Sequence, residues 1–223
     1  MISLLQLDWP QLIMVLFIML FAGLVHGTLG LGFPMVATPM LAVIFDVRTA
    51  ILITLLPTIA VNLASIWNSR DSLENIRRFL PLTWFVFVGS LLGAYILVKV
   101  DPGPFRLALA GLILLYLWTN LTGRVPHRLL GNHVLAAMVV LGLLAGFAGA
   151  TTNVMVAILI IFFLALEVQR KTMVPVLNIC FLIGKSTQIA VLSLAGFVSL
   201  GLIYETIPLA LVSVSSLLVG QRL

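Results

Sequence analysis

Long apolar runs separated by short polar loops occupy almost the whole of this 223-residue chain. Of its residues, 62% are hydrophobic and only 9% are charged, too few charges for a water-soluble domain of this size to cover its exterior. A transmembrane helix needs about 20 consecutive apolar residues. The chain is therefore expected to be an all-α polytopic membrane protein, with lipid as the solvent for much of its surface.

Nine apolar segments are predicted: 12–26, 33–45, 49–67, 79–98 and 104–121 in the first half, and 133–149, 151–166, 172–192 and 197–219 in the second. The segments on either side of the glycine-rich run 27–32 are short, as are those on either side of Ala150. Short spans interrupted by glycine at matching places of two halves are typical of discontinuous helices in transporters. The alternative is two plain helical hairpins with tight turns.

An internal repeat supports this division, because a shift of 123 residues places Thr28 on Thr151 and Arg48 on Lys171. If each broken segment returns to the side from which it entered, 8 basic residues lie on one side and 3 on the other. The positive-inside rule favours that arrangement. Five segments per half is an odd number, so we predict two inverted repeats, residues 1–123 and 124–223, each starting with a broken or re-entrant helix. Symmetry also predicts a final span that the second repeat lacks.

The breaks are the predicted substrate site, because interrupted helices leave backbone N–H groups that attract anions. Lys185 lies deep within its segment, where an ionisable side chain indicates function; a structural ion pair with Glu205 is the alternative. Polar stripes flank it: Thr54, Thr58, Asn62 and Ser65 on one helix, and Asn178, Lys185 and Gln188 on the related one. The predicted substrate-binding residues are Thr28, Gly30, Gly32, Asn62, Thr151, Thr152, Asn153, Asn178 and Lys185.

Two further ionisable residues are candidates for coupling transport to an ion gradient. His26 lies beside the first break, and histidine as a residue type has a pKa near neutrality. Its alternative role is a hydrogen bond to a free carbonyl. Glu205 could carry a proton, pair with Lys185, or lie at the membrane interface.

The glycine-rich run Gly27-Thr28-Leu29-Gly30-Leu31-Gly32, continued by Thr38-Pro39-Met40-Leu41, resembles the first half of the sulfite exporter TauE/SafE family. The stretch 145–150 with the following Thr-Thr-Asn resembles the second half. The resemblance covers nearly the whole chain. It implies a permease for small oxyanions such as sulfite, sulfonates or related organic acids, often moved outward. The second motif departs from the family pattern, since it reads Ala-Thr-Thr-Asn-Val-Met where a glycine-rich run with proline is usual.

Other classes of function lack their motifs. The sequence has no phosphate-binding GxxxxGK[ST] run, no HExxH or GxSxG, and no basic stripe interleaved with aromatics. We therefore expect no enzyme, no catalytic residues, no cofactor or metal, and no nucleic-acid partner. The prediction is a secondary transporter working by alternating access in the bacterial cytoplasmic membrane, with a small anion and lipid as partners. A non-catalytic scaffold or assembly subunit is the alternative; coupling ion and assembly, including a homo-oligomer, stay open.

Overall fold

The computed structural model describes residues 7–68, 76–101, 103–122 and 134–223. Within these ranges it contains nine α-helices and no strand. They are α1 (Trp9–Leu29), α2 (Phe33–Ile44), α3 (Val47–Asn68), α4 (Leu80–Lys99), α5 (Gly103–Thr122), α6 (Val134–Thr152), α7 (Met155–Ala165), α8 (Arg170–Leu194) and α9 (Leu200–Gly220). The predicted boundary between repeats at 123/124, and most of the predicted loops 68–78 and 122–132, lie outside the described residues.

Six helices are long and apolar enough to cross a membrane: α1, α3, α4, α6, α8 and α9. The prediction of an all-helical, multi-pass membrane protein is thereby confirmed. Helices α2 and α7 contain 12 and 11 residues, so they extend about 18 Å and 16 Å. Each is shorter than the hydrocarbon core of about 30 Å, and each follows directly on a longer helix.

Left-handed backbone conformations end the two helices that precede these short ones. After α1, Gly30 has φ 78° and donates its N–H to the carbonyl of His26 at 2.6 Å; Gly32, with φ 102°, then precedes α2. After α6, Asn153 has φ 64°. Glycine adopts such angles without strain, and asparagine tolerates them better than most other residues.

Close helix pairs form the two sides of the bundle, with α1 packed along α9 and α4 packed along α6. A Cβ atom added at Gly27 of α1 would lie 2.2 Å from the carbonyl oxygen of Leu217 in α9. One added at Gly146 of α6 would lie 2.2 Å from the carbonyl oxygen of Val86 in α4. Small residues allow such backbone contact, which is how helices associate in lipid.

Helices α3 and α8 pack against each other between these pairs, α3 also against α9 and α8 also against α4. They run antiparallel, because Ser65 near the end of α3 contacts Asn178 in the first half of α8, whereas Thr54 in the first half of α3 is joined through Asn153 to Lys185, seven residues further along α8. We call the two ends of the bundle the Asn68 end, where α3 ends and α8 begins, and the Arg48 end, where α3 begins. At the Arg48 end, the Arg48 side chain donates to the carbonyl oxygens of Leu97 and Val100 at 2.7 and 2.6 Å.

Candidate functional site

Buried polar side chains follow one face of α3 and one face of α8. Those of α3 are Thr54, Thr58, Asn62 and Ser65, and those of α8 are Asn178, Lys185 and Gln188; each is at most 2% exposed. Spacings of three and four residues place each set along one side of its helix. Because unpaired polar groups are costly in an apolar interior, such rows persist where they bond to each other or to a guest.

Lys185 is the centre of one polar cluster. Its ammonium donates to the Oδ1 atom of Asn153 and the Oε1 atom of Gln188. Gln188 in turn donates from Nε2 to the carbonyl oxygen of Ala150 at 2.6 Å. Both acceptors of Lys185 are neutral amides, so the ammonium has no carboxylate among its bonded partners in the described chain. Glu205 instead lines a groove of about 740 Å³ between α1 and α9.

Asn153 connects Lys185 to the first half of the chain. Its Nδ2 atom donates to Thr38 Oγ1 in α2 at 2.7 Å and to Thr54 Oγ1 in α3 at 3.0 Å. Its backbone N–H closes the last turn of α6 by donating to the carbonyl oxygen of Gly149 at 3.1 Å. One amide side chain at the end of α6 thus joins α2, α3 and α8.

A second cluster surrounds Gly30 at the end of α1. The Nδ2 atom of Asn178 donates to the Gly30 carbonyl oxygen at 3.1 Å and to Ser65 Oγ at 3.0 Å. Carbonyl groups at a helix end have no partner within their own helix, and Asn178 supplies one from α8. Helices α1, α3 and α8 are therefore bonded together at this point.

The two clusters lie at different depths in the bundle, since Thr54 and Ser65 are separated by about 16 Å along α3. Thr58 and Asn62 lie between them. Asn62 donates from Nδ2 to the carbonyl oxygen of Thr58 at 2.7 Å, but its Oδ1 atom has no protein partner. Thr58 Oγ1 and Asn178 Oδ1 are also unpartnered. These buried atoms make the face between the clusters able to bond a polar guest.

Three predicted binding residues direct their hydroxyls to their own helices. Thr28 donates to the carbonyl oxygen of Val25, Thr151 to that of Phe147 and Thr152 to that of Ala148, at 3.0, 2.9 and 2.8 Å. Threonine commonly makes such bonds within helices. Gly32 faces open space, because no atom lies within 4 Å of the place where its Cβ would be.

His26 is fully buried, and its ring connects α1 to the beginning of α2. Its Nδ1 atom accepts the backbone N–H of Phe33 at 3.2 Å, while Nε2 has no partner. Nδ1 must be unprotonated to accept this bond, so the neutral ring carries its proton on Nε2. Any further proton on the ring would have to displace the Phe33 bond.

Three members of the Lys185 cluster, Thr38, Thr54 and Gln188, were not among the predicted binding residues. Thr54 and Gln188 do lie on the two predicted polar stripes. Gln188 could be placed beside Lys185 by its helical spacing alone. Thr38 is the single hydroxyl-bearing residue of α2, a weak signal that does not say which helix it faces. The cluster consists of amides, hydroxyls and one ammonium, and no metal-binding group of His, Cys, Asp or Glu occurs among the residues that the structure describes.

Comparison with known proteins agrees with this chemistry. The family model described as sulfite exporter TauE/SafE matches residues 15–223, so the resemblance of the glycine-rich motifs is confirmed over nearly the whole chain. That family consists of membrane transporters for anions of the sulfite and sulfonate type. No curated protein and no solved structure matches the chain.

Proposed function

Because the chain belongs to the sulfite exporter TauE/SafE family, we propose that it is a permease exporting a small oxyanion that binds at Lys185. The substrate class is sulfite, a sulfonate or a related organic acid. In this proposal the protein lies in a bacterial cytoplasmic membrane with its Asn68 end inside. The basic residues of the described chain support that orientation. Five lie at the Asn68 end and three at the Arg48 end: Arg77, Arg78, Arg170, Lys171 and Arg222 against Arg48, Lys99 and Arg106.

The buried ammonium of Lys185 carries the proposal. A charged side chain within a membrane bundle is costly and is usually retained for function. Its bonds to Asn153 and Gln188 use two of its three N–H donors and leave its charge uncompensated. A small anion would supply the missing counter-charge, and charge-assisted hydrogen bonds are about twice as strong as neutral ones. The amide groups and hydroxyls around Lys185 would then orient the oxygen atoms of the anion.

The path to Lys185 follows the row between the two clusters. Asn62 and Asn178 lie along that row with unpartnered oxygen atoms. These oxygens accept hydrogen bonds from water, so a hydrated anion could pass with its water bonded to them. When the anion replaces Asn153 as a hydrogen-bond partner of the ammonium, the Asn153 side chain would also give up its bonds to Thr38 and Thr54. Thr28, Gly30, Gly32, Thr151 and Thr152 stay predictions as anion ligands. The N–H of Gly30 and the hydroxyls of the three threonines already bond to carbonyl groups of their own helices.

Alternating access would arise from two inverted halves, residues 1–123 and 124–223. The helix contacts support this. The matching helices of the two halves are α1 and α6, α2 and α7, α3 and α8, and α4 and α9. If each helix is replaced by its match, every major helix pair in contact becomes another pair that is also in contact. The pair α1–α9 becomes α6–α4, and α3–α9 becomes α8–α4. The symmetry-related helices α3 and α8 run antiparallel, as two halves inserted in opposite senses require.

Coupling is assigned to His26, with Glu205 as a second candidate near the Arg48 end. A second proton on the His26 ring would sit on Nδ1, where it would face the backbone N–H of Phe33. Two donors cannot bond to each other, so the first turn of α2 would be released. Proton binding would thereby change the connection between α1 and the short helix that follows it. Glu205 is half-buried at the start of α9, beside Trp9 and Tyr204.

Lys185→Met tests the proposed function in reconstituted vesicles, because methionine keeps most of the side-chain bulk and removes the charge. We expect the affinity for sulfite to fall by about 2–5 kcal/mol, the range for breaking a buried charge pair, and transport to be lost at ordinary substrate concentrations. Lys99→Met is the matched control, since Lys99 lies at the end of α4 over the Tyr95 ring. A folded Lys185→Met protein that transports sulfite at the wild-type rate would contradict the proposal.

A further inference from the structure

We infer that the cavity at the Asn68 end of α1 and α8 is a separate capture site for the oxyanion, with Arg170 and Lys171 as its binding residues. The cavity has a volume of about 340 Å³. Its walls are residues 27–30, at the end of α1 and just after it, and the first turns of α8, including Arg170, Lys171 and Val174. The cavity is open at the surface, so a small anion could enter it with part of its hydration shell.

Arg170 is held at this cavity by the end of α1. Its Nη2 atom donates to the carbonyl oxygens of Thr28 and Leu29 at 3.2 and 2.8 Å. These bonds use a single nitrogen of the guanidinium, which has further N–H donors on Nε and Nη1. Lys171 adds a second positive charge on the next residue. The guanidinium is therefore fixed in position while donors suited to two oxygen atoms of an oxyanion are still free to bind one.

Among the described residues, the wall of this cavity carries positively charged side chains and no negatively charged one. No Asp or Glu is among the described residues that line it. Glu167, before α8, lines a neighbouring cavity of about 280 Å³ together with Arg78. The positive charges of Arg170 and Lys171 therefore face the cavity without a carboxylate on its wall, and anions should be enriched there.

Gly30 joins this cavity to the polar row in the interior. It forms part of the cavity wall, and its carbonyl oxygen accepts the bond from Asn178. Asn178 is the first residue of the α8 row that leads to Lys185. The inference rests on the proposed transport function: an anion taken up from the Asn68 side would bind at Arg170 first and reach Lys185 past Gly30.

Sided transport kinetics test the capture site. Radiolabelled sulfite is supplied to oriented proteoliposomes from either side, and KM and the maximal rate are measured for Arg170→Gln and Lys171→Gln. We expect each variant to raise KM from the Asn68 side by about twofold to fivefold, the effect of one exposed charge pair, and to leave KM from the Arg48 side unchanged. Arg170→Lys keeps the charge, so its KM from the Asn68 side should stay close to that of the wild type.

Arg106→Gln is the matched control, because Arg106 also donates to a helix-end carbonyl, that of Phe45 at 3.1 Å, but at the Arg48 end. Equal loss of maximal rate from both sides with unchanged KM would show that Arg170 only caps α1, and the inference would be wrong. Lys171→Gln leaves the bonds of Arg170 intact, so it decides the question if Arg170→Gln does not fold. Failure of wild-type transport would instead overturn the proposed function.

Discussion

Asn153→Asp supplies Lys185 with a permanent counter-charge from within the protein. Asparagine and aspartate have nearly the same shape, so the variant keeps the contact with the ammonium. The hydroxyl of Thr38 can reverse its role and donate to the new carboxylate, because a hydroxyl both donates and accepts. That of Thr54 can do so by giving up its bond to the carbonyl oxygen of Ala50. The substitution therefore changes the charge of the cluster with little change in its packing.

The expected loss of anion affinity follows from Coulomb's law. The carboxylate introduced by Asn153→Asp and a bound anion would both bond to one ammonium, so their charges would be roughly 5 Å apart. At an effective dielectric constant of about 20, that repulsion is about 3 kcal/mol. The affinity for sulfite should therefore fall by about two orders of magnitude, even though Lys185 is unchanged.

The assay is sulfite binding and transport by the purified variant in vesicles, together with its thermal unfolding. The free energy of unfolding should not fall, since the buried ammonium gains an opposite charge, whereas a protein that also carries Lys185→Met should lose about 3–5 kcal/mol. Asn68→Asp is the control, because Asn68 is an exposed amide bonded to Gln221. Wild-type affinity in a folded Asn153→Asp protein would show that the anion does not bind at Lys185.

Two other predictions follow from the helix contacts. Gly146→Ala should destabilise the protein by about 1–3 kcal/mol through overpacking against Val86, whereas Gly111→Ala, which meets nothing within 4 Å, should not; thermal unfolding in detergent compares them. His26→Asn keeps an acceptor near the position of Nδ1 but cannot take up a proton, so the change in transport that protonation of His26 produces in the wild type on acidification should be absent. An unchanged pH profile in that variant would exclude His26 from coupling.

The positions of the long helices could be predicted from sequence because lipid requires apolar runs of a certain length. Residues 49–67 and 79–98 were predicted as spans, and helices occupy Val47–Asn68 and Leu80–Lys99. The ends of α1 and α6 were harder to predict. Glycine and threonine near 27 and 151 suggested earlier ends, but their backbones remain hydrogen-bonded in the helix, and each helix ends only before a residue with positive φ.

The contents of the two polar rows were also predictable, since spacings of three and four residues identify one face of a helix. Their partners were not. Which residue of α3 faces Asn178 depends on how far α8 is displaced along α3, and no local pattern records that displacement; in the structure it is Ser65. The bond from Asn153 to Thr38 joins residues that are 115 positions apart in the chain, so it follows from tertiary packing alone.

The positions related by the 123-residue shift suggest why the proposed site has a single charge. Gly30 and Asn153 are related by this shift, and both have positive φ. Asn62 and Lys185 are related in the same way. Glycine is the easier residue at such a backbone position, so asparagine at 153 is best explained by its side chain, which bonds Lys185, Thr38 and Thr54. In the first half neither feature is present: Gly30 has no side chain, and Asn62 is neutral. One anion is therefore expected to bind per transport cycle, at the end of α6 rather than at the end of α1.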